Sequence, residues 1–396
     1  MPGLCKRKAD LSAMKVLYGA CMVFFFSMGV GYNCRSIYLN EAMKAGVISG
    51  ELMSGFWALT ALLILTGAFF TSYVIKHTGL ANTILIGGIV LGLGYILLSE
   101  ANATLSFIIS SVILGIGGVL TGKIPVQMLV MHSFYEHRSY YLGILSASAG
   151  LGAVIGSPVL GYLINAFGWR EITLYSGIAI IIISSCCCLW LIKGNYTEPP
   201  HPAKNEEKYN KAQKQVLIFI LLFMVLGNSI STAMTTLFQP IMTEKGFELI
   251  EASKIFAVYS LMGVASSVIG GKIADRFGFG KVFLYSGIAV LTGLFILYFT
   301  GSSIFYTTAA ILISCWGVTL SIFPLYCASK LFPKELIQKT QTLIIASGAL
   351  SIFLTSAISG LIFNIQQAYI NILIILIFAF CASLWIAVKL LRLTEK

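Results

Sequence analysis

Long apolar stretches recur along the whole chain and are separated by short polar turns. A helix needs roughly 20 apolar residues to cross the hydrocarbon core of a bilayer, where no water is present to pair with backbone N–H and C=O groups. The pattern predicts an all-α membrane protein. Its twelve helices are predicted near residues 14–37, 52–75, 81–99, 103–131, 140–166, 172–192, 215–241, 252–271, 282–299, 303–328, 340–363 and 367–388.

One polar segment divides these stretches into two sets of six. Residues 194–214 contain prolines, glutamates and several lysines, a composition typical of a linker outside the membrane. The predicted organisation is a six-helix bundle over residues 1–193, a cytoplasmic linker over 194–214 and a second six-helix bundle over 215–396.

The two halves share glycine and proline positions at one fixed spacing. The matching pairs, all 199 residues apart, are Gly79 and Gly278, Gly88 and Gly287, Gly94 and Gly293, Pro125 and Pro324, and Gly161 and Gly360. Glycine lets helices approach closely and proline interrupts the backbone ladder, so these positions carry packing information. A duplicated six-helix unit is usual in secondary transporters, where the substrate lies between the halves near the bilayer midplane.

Composition and charge support this interpretation. Hydrophobic residues make up 58% of the 396 and charged residues 10%, a balance that excludes an ordinary soluble domain. The net charge of +11 would suggest nucleic acid in a soluble protein. Here most of the basic residues lie in turns on one side of the predicted bilayer, so both termini are expected in the cytoplasm of a cell-membrane protein without a nucleic-acid partner. The nine cysteines fall almost wholly in apolar stretches, and no metal or cofactor is expected.

A charged turn after the eighth predicted helix reads Gly-Lys-Ile-Ala-Asp-Arg-Phe-Gly over residues 271–278. It resembles the cytoplasmic loop signature of the major facilitator superfamily, in which this loop latches the two halves in one alternating state. The resemblance implies the major facilitator fold and a gating role for Gly271, Asp275, Arg276 and Gly278. A tight charged turn without a gating role is the alternative. The first half has Lys76 where the second has Asp275, so no latch is expected there.

Residues 110–180 carry a narrower resemblance. A glycine-rich fourth helix with Pro125, an aromatic-basic loop over 133–138, a glycine-rich fifth helix over 143–152 and the turn Gly168-Trp169-Arg170 follow one another. This order is similar to the monocarboxylate transporter and oxalate:formate antiporter branch of the superfamily. The resemblance implies a small organic anion as substrate.

The first helix carries the first candidate binding residue. Residues 27–37 resemble the first span of the monocarboxylate transporters, where a cation and a nearby tyrosine serve substrate binding. With a one-residue gap Arg35 takes the place of that cation, beside Tyr32 and Asn33. Its planar guanidinium can hold a carboxylate through two hydrogen bonds. A rise of about 1.5 Å per residue puts Arg35 near the outer surface, so an arginine snorkelling to the interface is an equal alternative.

A second cation, Lys123, lies within the fourth predicted helix. A charge at that depth costs at least about 3 kcal/mol, so it normally faces a water-filled cavity. Reaching down to the inner headgroups is the alternative. The predicted spans contain no aspartate or glutamate well inside them, since Glu51 and Glu251 stand at helix ends. Two cations without an internal anion favour an anionic substrate, and a carboxylate-based proton relay is not expected.

Several other polar residues are candidates for the cavity wall. In the eighth helix Gly263 and Ser267 stand where monocarboxylate transporters carry an aspartate and an arginine, so that mechanism does not carry over in full. Polar residues in spans also bridge neighbouring helices without touching substrate. The wall candidates are Tyr32, Asn33, Gln127, Asn228, Thr232, Trp316, Thr319 and Ser347.

These features favour a secondary active transporter that moves a small, monocarboxylate-like organic anion by alternating access, through proton symport or anion exchange. It is expected to work as a monomer in the lipid bilayer. An exporter of drugs or another metabolite is the alternative within the same fold. A membrane-embedded enzyme or receptor is a distant alternative, because the sequence offers no His/Asp/Glu cluster and no nucleophile beside a base at membrane depth.

Overall fold

The computed structural model describes residues 2–134, 138–196, 209–277, 279–299 and 301–394, and the regular secondary structure among them is helical. The first half contains α1 (Pro2–Phe24), a π-helical segment (Phe25–Asn33), α2 (Arg35–Lys44), α3 (Gly50–Thr78), α4 (Leu80–Ser99), α5 (Thr104–Leu120), α6 (Lys123–Ser133), α7 (Arg138–Phe167), α8 (Trp169–Cys186) and a second π-helical segment (Cys187–Ile192). The second half contains α9 (Lys211–Thr236), α10 (Phe238–Glu244), α11 (Leu249–Phe277), α12 (Phe279–Phe299), α13 (Ser303–Ser314), α14 (Trp316–Leu331), α15 (Lys334–Gln366) and α16 (Ile372–Thr394).

The predicted all-α membrane architecture is confirmed. Within the described part of the chain, 11 helices are long and apolar enough to cross a membrane. The tenth predicted span is helical as well, but Cys315 divides it into α13 and α14. All twelve predicted spans therefore lie on helices.

Four spans are interrupted inside their apolar stretches. The first and fourth spans break at Cys34 and at residues 121–122, and the seventh and tenth break at Leu237 and Cys315. A hydropathy pattern does not register such breaks, because the apolar composition continues through them. Irregular backbone at membrane depth is tolerated where it is buried in protein or lines a water-filled space.

The chain forms two compact units, residues 1–202 and 203–396. The predicted linker lies largely outside the described residues, and its boundaries stay a prediction. In the first unit α4 packs against α5 and α8, α3 packs against α5, and the segment Phe25–Asn33 packs against α7. In the second unit α9 packs against α15 and α16, and α12 packs against α13.

The same turn ends the first span of each half. Gly46 and Gly246 follow α2 and α10 with φ angles of 71° and 85°, which favour glycine. The N–H of the residue after each glycine donates to the carbonyl five residues earlier, as in a Schellman motif. The two halves therefore repeat a local structure as well as a hydropathy pattern.

One glycine contact between helices occurs at matching positions in both halves. A Cβ atom added to Gly94 would lie 2.7 Å from Leu114 Cγ, and one added to Gly293 would lie 2.8 Å from Ile313 Cγ1. Leu114 and Ile313 are themselves 199 residues apart, like the two glycines. In both halves the third span thus approaches the fourth through a glycine that leaves no room for a side chain.

These contacts predict that Gly94→Ala and Gly293→Ala each destabilise the fold, by about 1–3 kcal/mol, because the new methyl group overlaps a packed neighbour. Unfolding of the detergent-solubilised protein by heat or denaturant would measure the change. Gly143→Ala is the matched control, since Gly143 is exposed within α7 and an added Cβ meets no atom within 4 Å. Equal stability of all three variants would contradict the assignment.

Candidate functional site

The first span changes helical type just before Arg35. Residues Phe25–Asn33 form a π-helical segment, and Arg35 begins α2 after Cys34, whose φ and ψ are −93° and 2°. Within this segment a Cβ on Gly29 would lie 2.7 Å from Cα of Gly152 in α7, so two backbones pass in direct contact. Segments of π-helix frequently occur at functional sites, and this one determines where the Arg35 side chain projects.

Arg35 is fully buried, with 0% of its surface exposed. Its Nε donates a hydrogen bond of 3.3 Å to the Tyr95 hydroxyl, and that hydroxyl donates in turn to the carbonyl of Gly31 in the π-helical segment. A snorkelling arginine would expose its guanidinium at the edge of the bundle, so that alternative does not describe this geometry.

Four aromatic rings surround the guanidinium and form what we term the Arg35 cage. The Arg35 Cζ atom lies 5.2 Å from the ring centroid of Tyr32, 5.3 Å from Trp57, 5.8 Å from Tyr95 and 5.9 Å from Phe56. Cation–π attraction to each ring offsets part of the cost of removing the charge from water. Tyr32 and Trp57 also meet edge to face, with centroids 5.5 Å apart.

The cage leaves hydrogen-bond donors unused. Arg35 Nη1 and Nη2 and Trp57 Nε1 are buried and have no hydrogen-bond partner among the described residues. A buried donor without an acceptor costs about 1–3 kcal/mol, and more when it is charged. The cage therefore presents an electropositive edge that an anion with two acceptor atoms can satisfy.

The sequence predicted part of this cage. Tyr32 and Asn33 were candidates; both are half-buried at the end of the π-helical segment, and Tyr32 is a cage ring. Phe56, Trp57 and Tyr95 were missed. They come from α3 and α4 and read as ordinary apolar residues in the sequence, so only the packing of three spans identifies them.

Lys123 lies at a second helix break. It begins α6 after the interruption at residues 121–122, inside the 30-residue apolar span Thr104–Ser133. The Lys123 side chain is exposed. Gln127 lies one turn later on the same face of α6 and is half-buried. Lys123 makes no hydrogen bond or ion pair with the described residues, and the structure does not bring it into contact with the Arg35 cage.

Three candidates in the second unit have partners inside their own bundle. The Trp316 indole N–H donates to the Gly227 carbonyl at 3.0 Å, and the Thr319 and Ser286 hydroxyls lie 2.9 Å apart. Ser347 donates to a carbonyl three residues earlier, at 2.7 Å. All three are buried, and these contacts fit the alternative in which polar side chains join or cap helices.

Asn228 and Thr232 lie one turn apart on α9. Asn228 is half-buried, and its Nδ2 atom is the nearest neighbour, at 3.9 Å, of a Cβ placed on Gly348 in α15. The buried Thr232 hydroxyl has no hydrogen-bond partner among the described residues. These two residues form the candidate polar surface of the second unit.

The predicted gating motif begins inside a helix. Residues Gly271, Asp275 and Arg276 belong to the last turns of α11, which continues to Phe277, beyond the span end predicted at residue 271. Arg276 is exposed. Gly278 and the Asp275 side chain lie outside the described residues, so the latch stays a prediction.

Comparison with known proteins gives a family. Residues 17–356 match the family model of the Major Facilitator Superfamily. Human monocarboxylate transporter 14 is 27% identical over 181 residues, which cover 43% of this chain and 34% of that protein. The agnestins efflux protein AgnL12 of Paecilomyces divaricatus is 23% identical over 288 residues, which cover 71% of this chain and 64% of that protein. The chain spans about a third of the length of the first curated relatives that it matches.

A solved structure gives the same fold. The crystal structure of a point mutant of the nucleoside transporter NupG superposes with a TM-score of 0.74 at 12% sequence identity. The superposition covers 95% of this chain and 99% of that one. At this identity the likeness extends to the architecture alone.

The geometry of the cage predicts that Tyr95→Phe destabilises the first unit by about 1–3 kcal/mol, since it removes the acceptor of the Arg35 Nε hydrogen bond and the hydroxyl that donates to the Gly31 carbonyl. Denaturant unfolding of the purified protein checks this. Tyr162→Phe is the control, because Tyr162 is 67% exposed on α7. Two variants of equal stability would mean that the Tyr95 hydroxyl does not support Arg35.

Proposed function

Since the chain belongs to the Major Facilitator Superfamily, we propose that it is a secondary transporter that moves a small, monocarboxylate-like organic anion by alternating access. The observation that supports the substrate class is the Arg35 cage, where a fully buried guanidinium keeps Nη1 and Nη2 without an acceptor among the described residues. The likeness to human monocarboxylate transporter 14 supports the same class.

The buried charge of Arg35 favours an anionic substrate. An ion removed from water without a counter-ion costs several kcal/mol even after relaxation, and cation–π contacts return only about 0.5–2 kcal/mol. The ion pair found among the described residues joins Lys44 to Glu41, whose charged atoms lie 2.9 Å apart. It does not involve Arg35, which therefore has no carboxylate partner in the described part of the chain. A substrate anion would supply both the missing charge and the missing acceptors.

The donor arrangement favours a carboxylate. Two Nη groups in one plane match the two oxygens of a carboxylate, and such bidentate pairs are stronger than a single neutral hydrogen bond. Trp57 Nε1 adds a third unused donor in the same aromatic cage. The half-buried Tyr32 would contribute a wall, and Asn33 and Gln127 would contact the remainder of the substrate.

Lys123 would act as a second cation on the path of the anion. Its exposed position at the break between α5 and α6 suits a transient contact better than tight binding. Symport with a proton and exchange for a second anion would each balance the charge of the substrate. We further propose that both termini are cytoplasmic in the cell membrane and that the motif at Asp275 gates the inward side, because basic residues concentrate in these turns.

Export of a metabolite is the second candidate function. Its support is the likeness to a fungal efflux protein, which covers more of this chain than the monocarboxylate transporter does. Lipophilic drug cations are poor candidates, because Arg35 and Lys123 would repel them. The orientation of uptake in vesicles separates export from import.

The test is uptake of labelled lactate, pyruvate, formate and oxalate into proteoliposomes containing the full chain. Arg35→Lys keeps a cation but loses the planar fork, and we expect an affinity loss of about ten- to a hundredfold for the transported acid. Lys123→Gln is expected to slow transport with less effect on affinity.

Arg392→Lys, at an exposed position near the end of α16, is the control and should transport normally. Thermal unfolding of each variant separates a loss of binding from a loss of fold. If Arg35→Ala and Lys123→Ala together left transport unchanged, the proposed role of these two cations would be wrong.

A further inference from the structure

A lysine near the end of α16 lies against an exposed tryptophan ring. Lys389 Nζ is 3.7 Å from the ring centroid of Trp385, one turn earlier on the same helix, and Trp385 is 59% exposed. The ring of Phe219, on the neighbouring helix α9, has its centroid 5.9 Å from the same nitrogen. Side chains from two packed helices therefore hold this ammonium group at the surface of the second unit.

The polar atoms at this position are free to bind a ligand. The Lys389 ammonium and the Trp385 indole N–H have no hydrogen-bond partner among the described residues, and both side chains are exposed. Neither α9 nor α16 contains an aspartate or a glutamate. A ligand that satisfies these donors must bring acceptor oxygens, and a negative charge on them strengthens the contact.

The same face of α16 is apolar in the direction of the membrane centre. Cys381 and Ala382 are exposed one turn before Trp385, and Phe378, 72% exposed, lies one turn before them. Lys389 stands just past the predicted end of this span, where a bilayer has its headgroups. The face therefore matches an amphiphile with its anionic head at Lys389 and its hydrocarbon along Phe378.

We propose that this surface, formed by Phe219, Trp385 and Lys389, binds the phosphate group of an anionic phospholipid. The phosphate accepts from the Lys389 ammonium, and the Trp385 indole donates to the phosphate or to an ester carbonyl. A choline headgroup fits less well, because Lys389 already occupies the ring face that would attract a second cation. Anionic lipids are concentrated in the cytoplasmic leaflet, and the proposed topology places this end of α16 there.

The first unit contains a natural comparison. Trp190, 78% exposed, lies in the second π-helical segment, and the exposed Lys193 follows three residues later. No cation among the described residues lies over the Trp190 ring. Trp190 therefore represents an ordinary interfacial tryptophan with a lysine nearby, and its preference for anionic lipid should be clearly weaker.

Fluorescence of the full chain in mixed detergent micelles measures these contacts, because a brominated acyl chain quenches an indole that it touches. Trp57, Trp169 and Trp316 are buried, so two tryptophans report on lipid. The variant Trp190→Phe isolates the signal of Trp385, and Trp385→Phe isolates that of Trp190. The probes are dibrominated phosphatidylglycerol and dibrominated phosphatidylcholine, titrated separately.

In Trp190→Phe we expect phosphatidylglycerol to quench at an about fivefold lower mole fraction than phosphatidylcholine, which is the preference that one positioned cation supplies. Adding Lys389→Gln should bring the two lipids close to equality. Arg392→Gln is the matched control and should change the ratio little, since Arg392 is exposed on the next turn but lies over no ring of the described residues. Thermal unfolding confirms that each variant is folded.

Several results would overturn the inference. Equal preference at Trp385 and Trp190 would mean that the first is an ordinary interfacial residue. A ratio that ignored Lys389→Gln, or that fell equally with Arg392→Gln, would indicate diffuse surface charge. Displacement of the lipid by millimolar inorganic phosphate would indicate a site for a soluble anion. None of these results involves Arg35 or transport, so the proposed function stands or falls separately.

Discussion

A positive charge enclosed by aromatic rings is the constraint on which the candidate site depends. Arg35 has no exposed surface, and its Nε is the single guanidinium nitrogen with a hydrogen-bond partner among the described residues. The rings return a fraction of the solvation energy lost on burial, and the Tyr95 hydroxyl returns a little more. In the proposed function, an anion that supplies acceptors to Nη1 and Nη2 would recover part of the remainder.

The candidate cations lie where transmembrane helices are interrupted, and four spans contain such a break. The residues that restart the helix after these breaks are Arg35, Lys123, Phe238 and Trp316. In the first half they are both cations, and in the second half both are buried aromatic residues. Both halves therefore interrupt their first and fourth spans, but the breaks do not coincide in the 199-residue register, and different side chains stand where the helices restart. In the proposed function, recognition of the anion would therefore fall to the first half.

The sequence predicted the architecture well because spanning a bilayer is a local requirement. About 20 apolar residues in succession can be counted without knowing any partner, and all twelve predicted spans lie on helices. The interruptions were missed, since a π-helical segment at residues 25–33 has the same composition as a regular helix. The repeated glycines were informative because Gly94 and Gly293 are required by contacts that both halves repeat.

The candidate site was harder to predict, because its residues can be identified only from the side chains that they contact in three dimensions. Arg35 was found as a cation in an apolar stretch, whereas Phe56, Trp57 and Tyr95 resembled any lipid-facing or core aromatic residue. Trp316 and Thr319 show the opposite difficulty. The sequence left open whether they line a cavity or join helices, and in the structure the first donates to the Gly227 carbonyl and the second pairs with Ser286.

The arrangement of rings also limits the shape of the anion. An aromatic face carries partial negative charge, so it attracts the guanidinium and disfavours an anion lying on it. The Nε side of Arg35 is already taken by Tyr95, which leaves the edge between Nη1 and Nη2 as the direction of approach. A spherical halide would meet that edge at one point, whereas a planar carboxylate meets both donors at once. In the proposed site the cage would therefore also discriminate between anions, because it leaves the Nη1 and Nη2 edge of the guanidinium without a partner among the described residues.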